Sequence, residues 1–128
     1  MNMKEPIESV CYLFLEMSAS DGQMSKDELS VIIEMITDLM NSDIDSQVLS
    51  KRSPTDAVII VSHCYEQFLN HRSVEFINEH LHQLDSYLSE EEKGLTINML
   101  AHLAKIDDNV DEGEINFFNH AKKMLSLS

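Results

Sequence analysis

Apolar residues recur along most of this chain at intervals of three and four, the spacing that lines one face of an α-helix. Over residues 3–20, Ile7, Val10, Leu13, Phe14 and Met17 mark such a face, with Pro6 in or before the first turn, where its missing N–H does no harm. The pattern breaks at Asp21-Gly22. It restarts at Ser25, whose hydroxyl can cap a new helix while Glu28, three residues on, reaches back to it. Leu29, Ile32, Ile33, Ile36, Leu39 and Met40 then give the cleanest amphipathic stripe in the chain. Residues 41–45 interrupt it, and a short third helix is expected over residues 45–49.

Ser53-Pro54-Thr55-Asp56 is a strong helix start, with an N-cap, a proline at the first helical position and an acid favoured by the helix dipole. The helix that follows, to about residue 70, is apolar nearly all round at Ala57, Val58, Ile59, Ile60 and Val61, and reads as the central buried helix. Ser73 opens a helix carrying Ile77, Leu81, Leu84 and Leu88. Ser89 and Glu92 repeat the capping-box pattern and start a helix to about residue 106, with Ile97, Leu100, Leu103 and Ala104 on one face. After a turn at 107–110, Asp111 and Glu114 cap a last helix whose inner face is Ile115, Phe118, Ala121 and Leu125. Seven helices, no strand and short connections predict an all-α fold, a compact single-domain bundle spanning residues 1–128.

Two stretches share one construction. FLEMSASDGQMSKDEL (residues 14–29) and LAHLAKIDDNVDEGEI (residues 100–115) align at an offset of 86, pairing Asp21 with Asp107, Ser25 with Asp111 and Glu28 with Glu114. They predict helix-turn-helix units at the two ends of the bundle, related by a pseudo-twofold.

Charge narrows the partners. A formal net charge of -14 excludes nucleic acid, whose phosphates need a cationic face, and argues against an anionic membrane surface. Such a surface attracts metal ions or basic protein patches instead. The N-terminus lacks the apolar core of a signal peptide, and the longest apolar run, residues 10–15, is far too short to cross a bilayer. A soluble, cytoplasmic protein is expected, with Cys11 and Cys64 as buried free thiols in apolar stripes. The 8 methionines fit core filling, with a Met-lined groove for a partner helix as the alternative.

The candidate chemistry lies in the two turns. Asp21 and Asp107 end helices, where a carboxylate faces the negative end of the dipole, while Glu28 and Glu114 lie in the first turn of the next helix. Across a tight turn, such an aspartate and glutamate can converge on a hard divalent cation. Capping alone accounts for the glutamates, but less well for Asp21 and Asp107. An EF-hand is excluded, because the sixth and twelfth positions counted from Asp107 are Glu112 and Phe118. Glu79 and His82 form a solitary E-x-x-H, short of the two needed for a di-iron bundle. The six histidines are scattered and read as exposed or capping. No nucleophile motif, phosphate loop or zinc spacing is present, so no enzyme is expected.

The repeated pattern, carried by Ser18-Ala19-Ser20-Asp21-Gly22-Gln23-Met24-Ser25-Lys26-Asp27-Glu28 and by Ala104-Lys105-Ile106-Asp107-Asp108-Asn109-Val110-Asp111-Glu112-Gly113-Glu114, resembles the TerB-like (tellurite resistance protein B) family. The resemblance implies an all-helical fold with internal pseudo-twofold symmetry, acidic motifs implicated in metal binding, and a role in tellurite or other stress resistance. Carried over by position, the acidic residues are Asp21, Glu28, Asp107 and Glu114, and Asp108 departs from the family's usual glycine. The expectation is a non-enzymatic cytoplasmic module that binds a divalent metal ion through these four residues. The alternative is an acidic interaction domain, co-chaperone-like or scaffold, that docks a protein with a basic surface and needs no metal.

Overall fold

Helix α1 (Pro6–Ala19) runs through the middle of the molecule. The computed structural model describes residues 6–19, 26–40, 54–106 and 112–125. Around α1 lie α2 (Lys26–Met40), α3 (Pro54–His71), α4 (Val74–Tyr87), α5 (Glu90–Ile106) and α6 (Glu112–Met124). The described residues form a compact all-α bundle of these six helices, without a strand. The short helix expected over residues 45–49 lies outside them. None of the described helices is long and apolar enough to cross a membrane.

Composition explains the central place of α1. Val10, Cys11, Leu13, Phe14 and Leu15 are fully buried, and Tyr12 and Met17 nearly so; a helix apolar around most of its circumference must be covered on most sides. Each of the other five helices packs against it. The expectation that the helix after Pro54 would hold this place is corrected. In α3, Ala57, Ile60, Val61, Cys64 and Phe68 are buried and Tyr65 packs partly against the core, whereas Ile59 and Leu69 are each 62% exposed and Val58 is exposed as well. The apolar run at 57–61 spans little more than one turn, and Ser62, His63 and Glu66 continue its outer face into water. A similar correction applies to α6. Its inner face holds Ala121 and, just past its end, Leu125, but Ile115 points outward.

One contiguous apolar cluster draws on all six helices, so each contributes to the same core. The surroundings of the two terminal helix pairs differ. Whereas α1 meets every other helix, α5 packs mainly on α1 and α6.

Local chemistry sets several boundaries. The Ser73 hydroxyl accepts a hydrogen bond from the Phe76 N–H at 3.0 Å and so caps α4. The Ser89-x-x-Glu92 box is fully formed: the Glu92 N–H donates to the Ser89 hydroxyl at 3.2 Å, and the Ser89 N–H donates to the Glu92 carboxylate at 2.9 Å. At the α3–α4 junction, Arg72 makes a two-pronged pair with Glu16 of α1 at 2.7 and 3.2 Å, with its guanidinium 5.4 Å from the Phe68 ring centre. Lys93 to Asp85 at 2.8 Å links α5 to α4.

Candidate functional site

Of the four acidic residues expected to bind a cation, the described residues include Glu28 and Glu114. Asp21 and Asp107 lie outside them. Glu28 and Glu114 each occupy the third position of their helix, α2 and α6 respectively. Glu28 is half-buried, while Glu114 is only 7% exposed. Both are already engaged by neighbours. Glu92, at the equivalent position of α5, shows what this pattern does in the chain, since its carboxylate caps the helix and is buried in doing so. Among the described residues, no three His, Cys, Asp or Glu side chains gather closely enough to hold a metal ion.

The histidine reading needs one correction. His63, His71, His82, His102 and His120 are exposed, but His80 is 3% exposed and built into the α1–α4 interface. Its Nδ1 lies 2.7 Å from the Ser9 hydroxyl. Its ring packs on Tyr12 and edge-to-face on Phe76, at centroid distances of 4.5 and 4.7 Å. A buried imidazole requires a polar partner, and Ser9 supplies it from the neighbouring helix. No local sequence signal marks His80, because its partner Ser9 lies 71 positions away on another helix.

The two cysteines meet across the α1–α3 interface as buried free thiols. Their mutual hydrogen bond, followed by burial, holds the Cys11 thiol well above its ordinary pKa, so the unreactive protonated form is favoured. Burial likewise raises the Tyr12 phenol. These are interior groups, protonated and shielded from water.

Open clefts lie among the described residues, and two of them bear on function. One of about 400 Å³ lies where the end of α1 meets α4 and α6. The Glu16–Arg72 pair borders it, as does His120, whose Nε2 is 2.6 Å from the Asn78 side-chain oxygen. Its charged groups are thus matched within the chain. The second, of about 250 Å³, separates α2 from α5. Both helices pack on α1 but not extensively on each other, which leaves a gap floored by Val31, Met35 and Met99. On the α2 side its rim carries Glu34 and Asp38, both exposed and without a hydrogen bond or ion pair among the described residues. Asn98 and His102 form the α5 side. Sequence reasoning found the stripe of α2 but not this cleft, because a gap between helices depends on how they splay over a third.

Compared with protein-family models, curated proteins and solved structures, the chain matches none.

Proposed function

We propose that this chain is a non-enzymatic helical module that works by docking a basic protein partner on its acidic surface. The observation that carries the reading is the pair Glu34 and Asp38, exposed beside an apolar cleft and without a charge partner among the described residues. A net charge of -14 adds a long-range field that draws basic surfaces inward and turns nucleic acid away. Binding of a lysine-rich peptide to the full chain tests this. The reading expects a complex at low salt that weakens steeply as salt is raised, and absence of any complex at low salt rejects it.

A second reading keeps the divalent cation, bound through the acidic turns by Asp21, Glu28, Asp107 and Glu114. It is supported by the burial of the Glu114 carboxylate and by the matching helical positions of Glu28 and Glu114. The sequence offset of 86 that relates the two turns supports treating α1–α2 and α5–α6 as pseudo-twofold related helix-turn-helix units of a TerB-like chain. On this reading the module serves a cytoplasmic stress or tellurite-resistance role. Calorimetry with calcium, magnesium, manganese and zinc decides it. Binding that is lost in the Asp21→Asn, Asp107→Asn double variant supports the site, and binding no tighter than about the millimolar range rejects it.

A further inference from the structure

We propose that the cleft between α2 and α5 is the docking site for one face of a basic amphipathic helix from a partner protein. This rests on the acidic-surface reading above and adds the place, the partner's secondary structure and its residue pattern.

On α2, Val31 and Met35 form one row at i, i+4 spacing, and Glu34 and Asp38 form a second row beside it. The apolar row faces the cleft floor, which Met99 completes from α5; the acidic row is exposed along the rim. An apolar row alongside an acidic row is complementary to a helix that carries an apolar row alongside a basic one. The occupant therefore repeats apolar residues at i and i+4 with Lys or Arg at i+3 and i+7, the charge-reversed counterpart of Val31-x-x-Glu34-Met35-x-x-Asp38.

Size and chemistry fit one inserted anchor. A space of about 250 Å³ takes a single large aliphatic or aromatic side chain. Methionine suits such a floor, because its unbranched thioether adapts to differently shaped anchors. Among the described residues, no lysine or arginine lines the cleft to neutralise the two carboxylates from within. Charge selects the occupant: a second copy of this chain, itself at -14, would bring like charge to the rim.

The test uses the full chain and two labelled synthetic peptides of identical composition. One carries leucine at i and i+4 and lysine at i+3 and i+7 over three helical turns; the other scrambles that order. Fluorescence anisotropy at low salt is expected to show the patterned peptide bound at least about 10-fold more tightly than the scrambled one, a difference that charge alone does not produce. E34K/D38K is expected to weaken it by about 10-fold or more, whereas E66K/E79K, an equal charge change at exposed positions of α3 and α4, weakens it by less than about 3-fold. Met99→Asp is expected to weaken it as well, with circular dichroism confirming that each variant remains helical. If both peptides bind equally, or both double variants lose the same affinity, the cleft is not the site although the acidic-surface reading stands. If neither peptide binds at low salt, both fail.

Discussion

Ser9 and His80 meet in the interior, with the serine hydroxyl 2.7 Å from Nδ1 of the imidazole, and so join the central helix to α4 by a polar contact inside an aromatic cluster. Ser9→Ala removes the partner of a buried nitrogen while barely altering the packing. It is expected to lower stability by about 1–3 kcal/mol, the usual cost of leaving a buried polar group unmatched. Denaturant unfolding of Ser9→Ala, His80→Phe and the double variant measures the coupling. If the two single effects simply add, the contact is not energetically shared.

The assignment of α1 as the centre makes a quantitative contrast. Phe14 is fully buried on α1, whereas Ile59 on α3 is largely exposed. Phe14→Ala is expected to destabilise by about 3–5 kcal/mol and Ile59→Ala by no more than about 0.5 kcal/mol. Comparable losses at both positions, read from urea midpoints, would contradict this arrangement.

Gly94 lies within α5, and a methyl group built there meets nothing within 4 Å. Replacing it with alanine reduces the freedom of the unfolded chain and improves helix propensity without steric cost. Gly94→Ala is expected to stabilise the protein by about 0.5–1 kcal/mol, seen as a higher melting temperature. No rise, or a fall, would mean that this turn of α5 needs a conformation alanine resists.

Cys11 sets an alkaline limit on stability. Its thiol holds its proton more firmly in the folded chain than in the unfolded one, first because of Cys64 and then because of burial. Above roughly pH 7.5, about one unit below the ordinary thiol pKa, an unfolded cysteine begins to ionise, so the unfolded state binds fewer protons and stability falls as pH rises. Below that pH both states keep the proton and the thiol contributes no pH dependence. Chemical unfolding at roughly pH 7 through pH 10 is expected to show this decline, with a shallower slope in Cys11→Ala. Equal slopes in the two proteins would show that Cys11 does not cause it.

The fold was legible in this sequence to the extent that local signals coincide with tertiary placement. Ser73 and Ser89 cap the helices they were expected to cap, and the stripe of α2 buries Ile32, Ile36 and Leu39 as its spacing requires. What misled was a count of apolar residues without their neighbours. Val58 and Ile59 suggested an interior helix, but the positions around them on the helical wheel are polar. The chain's interior instead belongs to the run from Val10 to Leu15, whose Val10, Leu13 and Phe14 read as one helical face although every residue of the run is buried. His80 could not be told from the exposed histidines, because its role depends on Ser9, 71 positions away. Of the candidate cation ligands, Glu28 and Glu114 are where capping boxes place them, while the readings that rest on Asp21 and Asp107 fall outside the described residues.

The central claim is that the acidic surface binds a basic protein partner, and residue-resolved NMR of the full chain titrated with the patterned basic helical peptide tests it most directly. The predicted result is a set of amide shifts concentrated at residues 31–38 of α2 and 98–102 of α5, reversed when salt is raised from about 50 mM to about 500 mM. Absence of shifts with the peptide, together with shifts around Glu28 and Glu114 on adding a divalent cation alone, would contradict the claim and favour the metal-binding reading.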